Sequence, residues 1–236
     1  MLDLTGQVVI VTGASGNLGS AISRVLARQG ALLAVADRQH AGQDRGRDGI
    51  EGAKRLLIAG ADVRTREGAT RIVAETMARF GRIDALVNTV GSFKMAQVAD
   101  AAADDWSLLM DLNALSALRL SEAVLAPMRA QAYGRIVHIA AAAGQRSFAG
   151  ASVYSASKAA VLRITEAVSD ENKARGITAN CVLPGTLDTP QNRAALPEAD
   201  PTLWVSPHDV AAVVAFLVSR EAAAVTGAAI PVTGRQ

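Results

Sequence analysis

Short, unbroken aliphatic runs separated by longer amphipathic stretches constrain this chain most. Val8–Thr12, Leu32–Ala36, Leu56–Ala59, Ala85–Asn88, Arg135–Ala140, Thr178–Leu183 and Ala229–Val232 read as strands. Most are continuous Val, Ile, Leu and Ala, the pattern of strands covered by helices on both faces of a parallel sheet. Helices are expected over Leu18–Gln29, Glu67–Phe80, Asp104–Arg129, Ser152–Arg175 and Pro207–Ser219. Strand–helix repetition across 236 residues predicts one α/β domain, a doubly wound sheet spanning 1–236. Aromatics are 3% and Ala about a fifth of the chain, so the core is expected to be aliphatic and closely spaced.

Local signals agree with this frame. Ile72, Val73, Thr76, Met77 and Phe80 fall on one helical stripe. Gly30, Gly81 and Gly176 follow predicted helices, where a terminating glycine belongs. Between residues 38 and 54, Arg38, Arg45 and Arg47 alternate with four glycines, so the connecting helix is expected to be short or frayed, with Arg45 and Arg47 facing solvent. Residues 184–206 carry Pro184, Pro190, Pro197 and Pro201 and read as a long functional loop, a substrate loop within the domain.

Composition excludes several classes. The net charge is +2 without a basic cluster, so no nucleic-acid partner is expected. His40, His138 and His208 lie far apart, which predicts no metal site. The single Cys181 allows no intramolecular disulfide, reads as packing and fits a reducing compartment. No basic segment followed by an apolar stretch opens the sequence, and Val210–Val218 falls short of the roughly 20 apolar residues of a membrane span. A cytoplasmic protein without membrane contact is the expectation.

Two motifs carry chemistry. The first strand runs into Thr12-Gly13-Ala14-Ser15-Gly16-Asn17-Leu18-Gly19 and then a helix. Such a turn lets backbone approach a pyrophosphate, and the helix start offers unpaired N–H groups and a favourable dipole. Asp37 closes the second strand, 18 residues beyond Gly19. A carboxylate there accepts from both ribose hydroxyls and repels a 2′-phosphate, which favours NAD over NADP, while Arg38 pulls the other way. The second motif is Tyr154 with Lys158, four apart on one helical face. Two Tyr and four Lys would give such a pair by chance about 0.03 times. A phenol beside an ammonium can exchange a proton with an alkoxide or alcohol.

On these motifs the chain resembles the short-chain dehydrogenase/reductase family. Further matches are Asp62-Val63, Leu86-Val87-Asn88 with Gly91, Asn113, Asn180, Pro184-Gly185 with Thr189, and the ending Val225-Thr226-Gly227-Ala228-Ala229-Ile230. The resemblance implies one Rossmann domain with a seven-stranded parallel sheet. It implies Asp62 and Val63 beside the adenine, Asn88 supporting the central strands, and Asn113 holding a relay water. Tyr154 would be the acid/base, Lys158 would bind the nicotinamide ribose and lower the Tyr pKa, and Thr189 would touch the carboxamide. Catalytic residues are thus Tyr154, Lys158 and Asn113. Gly13, Ser15, Gly16, Asn17, Leu18, Gly19, Asp37, Arg38, Pro184 and Gly185 join the cofactor site.

One departure stands out. The family's catalytic Ser lies 13 residues before the Tyr, where this chain has Ala141. Losing such a donor can cost about 3 kcal/mol in the transition state, a loss that an electrophilic or quinonoid substrate tolerates best. Ser147 and Ser152 are nearby candidates to replace it, each also readable as an ordinary loop hydroxyl. The stretch Leu187-Asp188-Thr189-Pro190-Gln191-Asn192-Arg193, then Leu196-Pro197-Glu198-Ala199-Asp200 and Trp204, is similar to dihydropteridine reductases, a branch that also lacks the Ser. That likeness implies NADH and a quinonoid dihydropterin. Phe93, Phe148, Arg193 and Trp204 are expected at the substrate rim with Ala141. His138 is expected to be a hydrogen-bonded sheet residue. The apolar helices around 106–129 and 153–170 predict a homotetramer. A cofactor-binding protein with little turnover is the alternative of another class.

Overall fold

The computed structural model describes residues 2–38 and 54–235. The expectations for Arg45, Arg47 and the connecting helix fall on residues 39–53 and lie outside the described residues, as does His40. Among the described residues there are seven strands: β1 (Val8–Thr12), β2 (Leu32–Asp37), β3 (Arg55–Ala59), β4 (Ala85–Asn88), β5 (Gly134–Ile139), β6 (Ile177–Pro184) and β7 (Ala229–Val232). They form one sheet in the order β3-β2-β1-β4-β5-β6-β7, all pairs parallel. The chain therefore adopts a single Rossmann-like α/β fold.

Alternate strand residues face opposite helical layers, which explains the unbroken aliphatic runs. Val9, Val11, Leu33 and Val35 pack with Ile22 and Leu26 of α1 (Asn17–Arg28) and Val210 and Val214 of the seventh helix, α7 (Pro207–Val218). Ile10, Ala34 and Ile58 pack instead with Ile72 of α2 (Arg66–Phe80) and Leu120 of α4 (Ser116–Ala130). Val168 of α5 (Ser152–Asn172) joins that second layer. Side-chain caps start α2 and α7: Thr65 accepts from Gly68 N at 3.0 Å, and Ser206 accepts from Asp209 N at 3.1 Å.

Two elements differ from the sequence reading. The expected helix 104–129 is α3 (Ala103–Leu109), a wider π turn at Met110–Leu115, and α4. Inside the proline-rich stretch lies a short helix, α6 (Pro190–Ala195), started by Thr189 accepting from Asn192 N at 3.2 Å.

Chain order reverses between β1 and β4, so the sheet's carboxyl edge opens a crevice there. Its floor is fixed by buried polar side chains. Asn88 Oδ1 accepts from Thr12 Oγ1 at 2.7 Å and Val90 N at 3.1 Å, and Asn88 Nδ2 reaches Ser116 Oγ at 3.3 Å. At the opposite edge the buried Asp84 accepts from Val8 N at 2.8 Å and from the Arg82 fork, locking the start of β1 to β4.

Candidate active site

The turn after β1 is built for close approach. Gly13 has φ +66°, and a Cβ on Gly19 would stand 2.2 Å from the Gly13 carbonyl oxygen. Only glycine lets α1 sit down on the loop at that point. Gly16 precedes α1 without a side-chain cap, and the first turn holds no acidic residue. With no carboxylate at the helix start, the dipole there favours an anion.

Asp37, at the end of β2, accepts from Ser15 N at 3.0 Å and from Ser15 Oγ. The carboxylate is thereby fixed beside the loop, at a cavity of about 350 Å³ that Gly13, Gly16, Arg38 and Val63 also line. Asp62 lines it too, gripped by Arg64 through Nε at 2.9 and 3.1 Å. That fork holds the Asp62 carboxyl down at about 2, so it stays ionised. Arg64 escaped the sequence reading, although an Asp-x-Arg spacing can form such a fork locally.

A second cavity of about 260 Å³ adjoins the first through Thr89, Gly91 and Ser92. Tyr154, third residue of α5, and Lys158 one turn on both line it, with Leu18, Pro184 and Gly185. Lys158 Nζ donates to the Ile139 carbonyl at 3.0 Å and stands 6.0 Å from the Tyr154 ring centroid. Burial pushes the phenol up to about 12 and the ammonium down to about 8. The expected lowering of Tyr154 by Lys158 is thus absent in the free chain. Desolvation governs both groups, and the ammonium is turned to a backbone oxygen.

Asn113 is held within the protein through its side chain. It sits in the π turn, buried, and its amide is spent on protein: Nδ2 donates to Ser92 O at 3.0 Å and Ser157 Oγ at 2.9 Å, while Oδ1 accepts from Ser92 N at 2.9 Å. Both amide protons are used, so the side chain cannot donate to a relay water. It is a clamp on the segment that crosses the cavity.

Ala141 lines the Tyr154 cavity and brings no hydroxyl. Neither Ser147 nor Ser152 lines it, and Ser147 Oγ turns to the Phe148 carbonyl at the surface. Of the two hydroxyl residues that do line it besides Tyr154, Thr89 donates to Thr12 O at 2.7 Å, and Ser92 went unnoticed in the sequence.

The proline-rich segment divides. Pro184, Gly185 and Leu187 reach the cavity, whereas Arg193 pairs with Asp188 at the surface, Nε to Oδ1 2.6 Å. Thr189 caps α6 and faces a different cavity of about 400 Å³, shared with Asn17 and His208. Asn17 Nδ2 bonds Gln191 Oε1 at 2.7 Å. Trp204 follows a one-turn helix and lines neither cavity, and Phe148 is exposed on its own loop. His138 is wholly buried, with Nε2 2.9 Å from Ser121 Oγ and Nδ1 unpartnered, and burial holds it down at about 4, hence neutral. Cys181 is a buried thiol 2.9 Å from Thr165 Oγ1, and burial raises it to about 11. Among the described residues, no cluster of three or more His, Cys, Asp or Glu could hold a metal, and no helix is long and apolar enough to cross a membrane.

A glycine-turn crevice at the reversal point of a parallel sheet, continued by a Tyr–Lys cavity, defines an oxidoreductase of the nicotinamide-dinucleotide class. The profile of the short chain dehydrogenase family matches residues 7–200, and the chain belongs to that family. The chain is 31% identical over 242 residues to a 3-oxoacyl-[acyl-carrier-protein] reductase of Vibrio cholerae, covering 99% of this chain and 98% of that one. It is 32% identical over 239 residues to an acetoacetyl-CoA reductase of Shinella zoogloeoides, covering 98% of each. The crystal structure of levodione reductase superposes with a TM-score of 0.87 at 28% identity, over 98% of this chain and 97% of that one.

Proposed function

We propose that this chain transfers hydride between NAD(H) and a small carbonyl, alcohol or quinonoid compound, with Tyr154 as the acid/base. The observation that carries the reading is the single crevice joining the Asp37 end to the cavity of Tyr154 and Lys158. The glycine turn and the α1 start fit a pyrophosphate, because Gly19 lets the helix start lie against the loop and its first turn carries no acidic residue. A bound nicotinamide would supply or accept the hydride. The chain's own residues manage the proton: Tyr154 Oη gives it to the forming alkoxide or takes it from the alcohol. Lys158, charged, favours the phenolate once within about 4–6 Å of it.

Asp37 supports NAD over NADP. Its carboxylate, braced by Ser15, suits a ribose with two free hydroxyls and repels a phosphate there. Asp37→Ser is expected to raise the ratio of kcat/KM for NADPH to that for NADH by about 100-fold. Steady-state rates with both cofactors measure it, and an unchanged ratio would remove the assignment.

Ala141 favours a second reading, a cofactor-binding protein with little turnover. Retention of Tyr154 and Lys158 in one cavity weighs for the enzyme. The names of the relatives, among them reductases of 3-oxoacyl-[acyl-carrier-protein], acetoacetyl-CoA and levodione, support reduction of such a compound. The reduced, buried Cys181 suits a cytoplasmic setting. Trp106, Leu108 and Leu118 are exposed along α3 and α4, which supports a homotetramer through that face, whereas α5, the other helix expected to contribute, shows no exposed large apolar side chain. Light scattering at micromolar concentration is expected to give four times the chain mass of 24.4 kDa, and a monomeric mass would refute it.

A further inference from the structure

We propose that Phe93 is the stacking platform of the substrate site, and that the site takes a flat, conjugated carbonyl compound of the quinone type. This rests on the carbonyl-reductase reading above and specifies its substrate class.

Phe93 is 57% exposed, yet it lines the cavity of Tyr154. It meets the Tyr154 ring at 4.8 Å between centroids and 86° between planes, an edge-on contact. One aromatic thus braces the phenol while much of its own surface remains open at the mouth. An exposed ring on a loose loop would carry little meaning, but this one is held on both sides. Before it, Asn113 grips both backbone polar atoms of Ser92, at 2.9 and 3.0 Å. After it, Ala96 N donates to Gly150 O at 2.9 Å and Ala96 bridges Ala151. Met95 packs beside Gly150, where an added Cβ would lie 3.1 Å from Met95 Cε. A preorganised, water-exposed aromatic loses little entropy when a ligand covers it.

The rest of the wall suits a flat guest. Ala140, Ala141 and Leu187 line the same cavity and offer no side-chain hydrogen bond. With no donor at Ala141, a carbonyl made electrophilic by its own conjugation is favoured. A conjugated ring carbonyl supplies that property together with a face for Phe93.

The probe is 9,10-phenanthrenequinone, titrated by calorimetry into the chain loaded with NAD+, which cannot reduce it. Acetoacetyl-CoA is the aliphatic comparator. Phe93→Ala is expected to lower the ratio of quinone to acetoacetyl-CoA affinity about tenfold, and Phe93→Tyr to restore it. With NADH, the loss of kcat/KM for the quinone is expected in KM. Equal losses on both ligands, a fall in kcat with binding intact, or no change would overturn the platform and leave Phe93 a brace for Tyr154. Tyr154→Phe, assayed alongside, separates the two ideas. If it is inactive while the Phe93 pattern is absent, only the platform falls. If it stays active while the pattern holds, the acid/base role falls and the platform stands.

Discussion

Tyr154→Phe is expected to lower kcat by about 1,000-fold while leaving NADH affinity within about twofold. The substitution keeps the ring, so the edge-on contact with Phe93 and the burial of this part of α5 survive. Only the Oη proton donor is lost. Among the described residues lining that cavity, no other has a side chain that can both give and take a proton near neutrality except Lys158, which is turned to the Ile139 carbonyl. Turnover followed by cofactor absorbance, with binding followed by cofactor fluorescence, checks both halves. A variant that turns over as fast as the parent removes the proposed acid/base.

Lys158→Met is expected to make the cofactor-free chain more stable and inactive at once. Burial lowers the folded ammonium from 10.5 to about 8, so at pH 7 folding works against a buried charge. The bond to Ile139 O offsets part of that cost, which leaves a gain of about 1–2 kcal/mol for the variant. For a chain of this length the melting temperature should rise by about 3–6 °C at pH 7. The sign of the pH dependence is fixed. Between about 8 and 10.5 the unfolded lysine holds a proton that the folded one has released, so the parent gains stability as pH rises through that window. The advantage of Lys158→Met should therefore shrink across it. Tyr154 and Cys181, both raised by burial, push stability the other way at high pH in both chains, so the difference between them is the quantity to read. Melts of both chains at pH 7 and pH 10 decide it, and a less stable variant at pH 7 would show that the ammonium is held favourably.

The sheet was legible because burial on both faces writes itself as continuous aliphatic runs. β1, β4 and β7 have the bounds read from the sequence. Helix ends were legible where glycine must turn left-handed: Gly30, Gly81 and Gly176 have φ of +91°, +76° and +73°. The π turn at Met110–Leu115 left no such mark, since one wide turn does not disturb an apolar pattern averaged over a long helix. α6 was hidden by its proline neighbours, though Thr189 before Pro190 is a proper helix start. The glycine turn with Asp37, and Tyr154 with Lys158, could be paired from spacing alone. What spacing could not give is direction. Thr189, Arg193 and Trp204 lie close in sequence to Pro184 and Gly185, yet the loop turns their side chains elsewhere. The grip of Asn113 on Ser92 and Ser157 joins residues 21 and 44 positions apart, a relation that only the packed fold creates.

That grip makes the mouth of the pocket and the long helix behind it a single mechanical part. The helix that presents Trp106 and Leu118 to the outside is the one whose widened turn holds the strip carrying Phe93. A substitution that displaced that outer surface would therefore reach the ring beside Tyr154 through a single amide side chain, that of Asn113.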